Sequence, residues 1–315
     1  MFTTQKKKVI IMNRLFIIGN GFDLAHGLHT KYQNFKAFLL NEDEGEMVSN
    51  MEACIDEHYL WNHWEEALGD LDVEEFYSNH SCYFYDGQDE WSDKYNHTFT
   101  QETTRTLSFS RELDVYLRKW INSTDLNVLP IFPSKLISKD AVYMTFNYTK
   151  TLETIYNIPN SQVIHIHGIA EDETDKLVFG HNSEYKPITI LEGEDNEGQL
   201  KEVGEYVVKP YFENTTKNVD SVLIKYASFF NTLSQITKVI VLGHSLSKID
   251  LPYFMEVKEK TSPICEWYIS YYDEGDKILK QMVIQMLRLN NAKLFKMDGS
   301  INEKDIERIL SPHMT

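Results

Sequence analysis

The chain has 315 residues, 42% of them apolar and 13% aromatic, enough for one large α/β domain with an insertion or for two domains. Its 31 basic and 48 acidic side chains leave a net charge of −17, which argues against broad binding to a phosphate backbone, so no direct nucleic-acid contact is expected. No apolar run approaches the roughly 18 residues of a membrane span, and Cys54, Cys82 and Cys265 are too scattered for a disulfide framework or a CxxC metal site, so a soluble, cytoplasmic protein is expected.

The leader KKKVIIM is interrupted by Asn13 and Arg14 and runs into an apolar strand. It reads as a short segment before that strand rather than a signal peptide, with Met12 a candidate start. Leu15 to Ile18 form the strand, which ends in Gly19-Asn20-Gly21. Helical spacing follows through Phe22, Leu28, Tyr32, Phe35, Phe38 and Leu39. A glycine turn feeding a helix lets backbone N–H groups converge on an anion, which makes Gly19, Asn20, Gly21 and Phe22 candidates for holding a nucleotide. The third glycine of a dinucleotide fingerprint is missing, because Leu24 stands there and the next glycine is Gly27. A turn that needs glycine only for a positive φ would read the same way. Asp23 would repel a bare pyrophosphate, so a ribose hydroxyl, a water or backbone N–H groups are its expected partners.

Residues 41–135 have the pattern of an α-helical insertion or subdomain. WNHWEEALGDL and SRELDVYLRKWI are amphipathic, and the aromatic stretch FYSNHSCYFYDGQDEWSDKY between them reads as packed interior or as a lid. Alternation of strand and helix resumes with AVYMTFNY, TKTLETIYN and QVIHIHG. An acidic, irregular excursion over 170–215 and a helical stretch over 217–236 follow. The chain then runs through KVIVLG, a helix from Asp250, CEWYISYY, DKILKQMVIQMLRL, AKLFKM and a helix from Asn302. The expected fold is α/β: a Rossmann-like, doubly wound, mostly parallel sheet built from residues 12–40 and 136–315.

In open α/β sheets ligands bind beyond the carboxyl ends of strands. Four polar clusters occupy such ends: Gly19 to Asp23, Phe146 to Thr149, His165 to Gly168, and Gly243-His244-Ser245. Their convergence is the main structural expectation. His165 and His167 alternate with isoleucines, which puts both on one strand face. His181 is the only further donor suggested, so no metal is expected. His165, deeper in the strand, suits a core hydrogen bond, and His167, beside Gly168, is the better candidate for proton transfer. Asn147 suits a ribose hydroxyl or a positioned water, or else caps the helix beginning near Thr149. Asp250 reads as a helix N-cap, and Gly243, His244 and Ser245 are candidate nucleotide contacts.

The segments GNGFDLAHGL, KYQNF, WNHWEEALG, TFNYTKTLE, IHIHG and VIVLGHSLSKIDLPYF occur in that order, and in them the chain resembles the AbiH family of bacteriophage abortive-infection proteins over residues 14 to about 260. That resemblance implies a role in stopping phage propagation by sacrificing the infected cell. A more distant likeness runs to sirtuin-like NAD-hydrolase domains: the turn Gly19-Asn20-Gly21, Asn147 at a T-x-N-Y-type strand end, His167 before glycine, and Gly243 to Leu246. It implies NAD as substrate, the pyrophosphate at the first turn, the nicotinamide ribose near Asn147, His167 as general base and Asp23 stabilising developing positive charge. Two departures are the acid Asp23 in place of a small hydroxyl residue and the lack of a four-cysteine zinc module, which argues against deacetylation. The expected partners are a nucleotide ligand, a phage-derived trigger and further copies of the chain in a homo-oligomer. Competing readings are a non-catalytic ADP-ribose sensor, a nuclease-type toxin binding Mg²⁺ through Asp23, Glu65 or Glu66 and a histidine, and a partner-binding antitoxin.

Overall fold

The computed structural model describes residues 12–83, 93–187, 197–298 and 300–311. The residues before Met12, residues 84–92 from the aromatic stretch and residues 188–196 from the acidic excursion lie outside the described residues.

Near-continuous apolar runs become the four largely buried inner strands, flanked by a three-residue edge strand and a partly exposed one. They are β1 (Arg14–Ile18), β2 (Val142–Thr145), β3 (Val163–His165), β4 (Lys238–Leu242), β5 (Glu266–Tyr271) and β6 (Ala292–Lys296). All pair in parallel in the order β3-β2-β1-β4-β5-β6. This is the doubly wound α/β arrangement, with its switch point between β1 and β4. Register sets Ile18 beside both Thr145 and Leu242, and Thr145 beside His165. The polar clusters after β3, β2, β1 and β4 therefore stand on adjacent strand ends. Phe16, Phe22, Phe132, Tyr143, Ile240 and Phe295 are among the side chains of the core against this sheet.

The chain divides into two units. One comprises residues up to Thr30, Thr124–Lys176 and Val219 onward, and carries the whole sheet. The other comprises Lys31–Ser123 and Leu177–Asn218 and is helical. The second unit thus takes in part of the 170–215 excursion together with residues 31–123, so it begins before the expected insertion of 41–135 and leaves its last residues, 124–135, with the sheet. The excursion is also more regular than its sequence suggests, with helices over Glu197–Val203 and Lys209–Thr215 joined by a wider turn over Gly204–Val208. Leu177, Val207, Val208 and Tyr211 are buried there, and the Tyr211 hydroxyl donates to the Leu68 carbonyl at 2.7 Å. An aromatic cluster centres this unit: Tyr32 stacks on Trp64 at 5.0 Å and Phe35 lies 5.0 Å from Trp120. Phe76 and Tyr77, from the aromatic stretch, are packed inside. Among the described residues no helix is long and apolar enough to cross a membrane.

Candidate functional site

The glycines after β1 and β4 are explained by each other. The Gly21 N–H donates to the Gly243 carbonyl at 2.7 Å and the Gly19 N–H to the Leu242 carbonyl at 3.0 Å. A Cβ on Gly19 would sit 2.5 Å from the His244 Cα, one on Gly21 2.8 Å from the Gly243 Cα, and one on Gly243, whose φ is +64°, 2.3 Å from the Phe22 N. No side chain fits between these backbones. The Phe22 N–H closes the turn on the Gly19 carbonyl at 2.9 Å. Three amides that could have faced an anion are therefore engaged within the protein. The Phe22 ring stacks on Phe132 in the core, and Asn20 exchanges hydrogen bonds with Thr30, both at 2.6 Å.

Asn147 lies one residue beyond the Phe146 that pairs its N–H with the Ile18 carbonyl. Its amide donates to the Gly19 carbonyl at 3.3 Å, so the side chain ties the β2 end to the first turn and does not cap the following helix, Thr151–Tyr156, which begins after Lys150. Asp23, on the short helix α1 (Asn20–Ala25), is fully enclosed. The Thr149 hydroxyl donates to its Oδ2 at 2.6 Å and sits 2.9 Å from the Thr151 hydroxyl, while Oδ1 has no hydrogen bond at ordinary distance. Burial pushes the Asp23 carboxyl up from 3.8 to about 6. Thr149, and at longer range Thr151, Asn147 and the charge of His165, oppose that rise only in part.

His165 is held at both nitrogens, Nδ1 3.2 Å from the Asn147 carbonyl and Nε2 2.8 Å from the Glu153 carboxylate. These two contacts fix the ring between the end of β2 and Glu153. The expected common face for His165 and His167 does not persist, because β3 ends at His165 and the chain turns. His167 instead meets the edge of Phe146 at 4.8 Å, with its Nε2 3.7 Å from Asp250 Oδ1. On the other side of the same carboxylate, His244 Nε2 lies 3.6 Å from Oδ2. The Leu246 N–H donates to His244 Nδ1 at 2.9 Å, so in the neutral ring the proton sits on Nε2, toward Asp250. Phe146 also packs on His244, Tyr253 and Phe254. Behind the turn, the buried Lys280 ammonium hydrogen-bonds the His244 carbonyl and lies 3.4 Å from Asp276, with burial pulling its pKa down.

The structure thus brings Gly19, Gly21, Gly243 and Asn147 together through backbone and amide contacts. Asp23 joins them through Thr149, and His167 and His244 gather on Phe146 and Asp250. Ser245 stands apart, exposed in the β4 turn. Asp250, Glu153, Thr149, Thr151 and Lys280 were not singled out as site residues by the sequence. Asp250 precedes the Leu251–Lys260 helix as expected, yet its side chain makes no capping hydrogen bond and turns toward the two histidines. Glu65 is paired with Lys217 inside the helical unit. Among the described residues no three His, Cys, Asp or Glu side chains are grouped so as to hold a metal ion.

A family model described as bacteriophage abortive infection AbiH matches residues 15–271 of the chain. No match is found among curated proteins.

Proposed function

The chain belongs to the AbiH family of bacteriophage abortive-infection proteins, and from that premise we propose that it acts in phage defence by hydrolysing the nicotinamide–ribose bond of NAD at the ends of β1 to β4. The observation that carries this reading is the meeting of the four strand-end clusters at the switch point of a doubly wound sheet, where such folds bind nucleotides. The Asn147 amide lies at the centre of that meeting and is the group for a ribose hydroxyl. His167 is the base, with Asp250 placed to stabilise the imidazolium it becomes. Asp23 is the acid that faces developing positive charge on the sugar.

The step balances simply. The C–N bond breaks with its electron pair leaving on nicotinamide, the oxygen of a water bonds to the ribose carbon, and the water's proton passes to His167. A general base of this kind contributes about 10²–10⁴-fold. Asn147, His167 and Asp23 are 7%, 2% and 1% exposed, so NAD reaches them only when the turns part. A closed site fits a lethal activity that stays silent before infection, with an infection-derived trigger favouring the open form.

The test is chromatography of nicotinamide released from NAD by the purified protein, alone and with lysate of phage-infected cells. Release is expected to rise with lysate and to be lost in Asn147→Ala and His167→Ala variants that keep the wild-type circular dichroism. No release under either condition overturns the proposal, and tight ADP-ribose binding without release would identify a sensor instead.

A further inference from the structure

The buried residue within the helix Glu274–Met286 is a charged one, Lys280. Its ammonium meets the His244 carbonyl and, at 3.4 Å, the carboxylate of Asp276, which is 30% exposed. Taking an ammonium out of water is costly, and an apolar side chain of similar length would fill the place without that cost. Packing alone does not account for a lysine here, whereas its contact with the backbone of the β4 turn does.

That turn is strained. Gly243 and Leu246 both have positive φ, +64° and +59°. For a buried leucine this conformation persists only where the surroundings impose it. The Gly243 end is fixed, because its carbonyl accepts from the Gly21 N–H and its N–H donates to the Ser270 hydroxyl at 2.8 Å. At the other end the Asp250 N–H donates to the Ser247 carbonyl at 3.1 Å. Between these anchors Ser245 is exposed, while His244 and Leu246 are buried. The His244 ring fills the space beside Phe146, with ring centres 4.2 Å apart, and faces the carboxylate whose other oxygen faces His167.

We propose that Lys280 is the latch of a gate in which His244, Ser245 and Leu246 swing outward together between Gly243 and Ser247. When Lys280 releases the His244 carbonyl, the His244 ring leaves Phe146 and Asp250 and uncovers His167 across that carboxylate. Lys280 is thus a positioning residue that acts on the site through His244. Opening relieves the backbone strain at Leu246, so the closed form depends on the latch. Short lids of this kind move by a few backbone rotations at their ends. As an entrance for NAD the gate rests on the function proposed above; as a motion of the turn it does not.

Labelling of the full chain with diethyl pyrocarbonate tests the gate without any nucleotide. The reagent acylates an imidazole nitrogen that is open to water, and peptide mass spectrometry reports each histidine separately. His26 and His181 are buried elsewhere, each engaged at both ring nitrogens, and serve as controls. In Lys280→Met, labelling of His167 and His244 is expected to speed up about tenfold or more, because a hydrogen bond from a charged group is lost, while His26 and His181 keep their wild-type rates. Asp276→Asn removes the counter-charge but keeps an acceptor for the Tyr272 N–H, and should give a smaller rise at the same two histidines. That variant decides the matter if Lys280→Met does not fold. Wild-type rates at His167 and His244 in both variants overturn the gate. An equal rise at all four histidines also overturns it, because Lys280 would then only hold the fold together. Faster labelling of the two without nicotinamide release supports the gate and tells against NAD as what enters.

Discussion

The Nε2 of His167 lies 3.7 Å from one carboxylate oxygen of Asp250, and the other oxygen of that carboxylate faces His244 at 3.6 Å. One carboxylate thus serves two imidazoles that arrive from β3 and β4. Asp250→Asn keeps the shape and removes the charge that would stabilise a protonated His167. Nicotinamide release is expected to fall by about 10–100-fold, while stability to urea changes by less than about 2 kcal/mol. Parallel kinetic and denaturation measurements separate the two effects.

Asp23 gives a pH dependence of defined sign. Its folded pKa is raised from 3.8 to about 6, so between those values the native state holds a proton that the unfolded chain has lost. Stability contributed by this group is therefore present below about pH 4 and is lost as pH rises through about 6. A shift of about two units sets an upper bound of about 3 kcal/mol of destabilisation at neutral pH. Asp23→Asn is expected to be more stable than the wild type at pH 7, by about 1–3 kcal/mol, with the difference closing at pH 4. If Asp23 serves the sugar cation, the same variant loses activity as it gains stability. Urea midpoints at the two pH values check the first part.

The glycines should separate by environment. Gly243→Ala forces a methyl group against the Phe22 N at a positive φ, and a loss of about 3 kcal/mol or more is expected. Gly27 has φ +76° with open space around it, so Gly27→Ala should cost only about 1 kcal/mol. Gly45 opens the Gly45–Cys54 helix with nothing within 4 Å, and Gly45→Ala should be neutral or stabilising by up to about 1 kcal/mol. Thermal denaturation of the three variants tests the order.

In the helical unit, Lys217 is wholly buried and paired with Glu65, which is 19% exposed. Removing one partner of a buried pair costs about 3–5 kcal/mol. The partly hydrated Glu65 tolerates that better than Lys217 does. Lys217→Met should therefore destabilise less than Glu65→Gln, as read from urea denaturation.

The sheet was legible in the sequence because a parallel strand covered on both faces must be almost continuously apolar, as Leu15 to Ile18 and Val239 to Leu242 are. The adjacency of four strand-end clusters followed from the same alternation. The roles of individual side chains were less legible. Asp250 precedes Leu251-Pro252 as an N-cap would, and only tertiary packing turns it toward two histidines. Glu153 sits in an ordinary amphipathic helix, and the register that sets Thr145 beside His165 supplies its partner. The glycine turn looked like an anion cradle because a cradle and a close backbone crossing require the same residue. Residues 170–215 read as an acidic, irregular excursion, yet in the structure Gly204 opens a wide turn and Pro210 stands at the start of a helix, where proline lacks no needed N–H.

NAD hydrolysis by this chain is tested most directly by the NAD content of cells carrying it, measured through the first cycle of phage infection beside cells carrying Asn147→Ala. NAD is expected to fall, with matching nicotinamide and ADP-ribose, before the burst in the first cells and not in the second. Blocked phage propagation with constant NAD would contradict it.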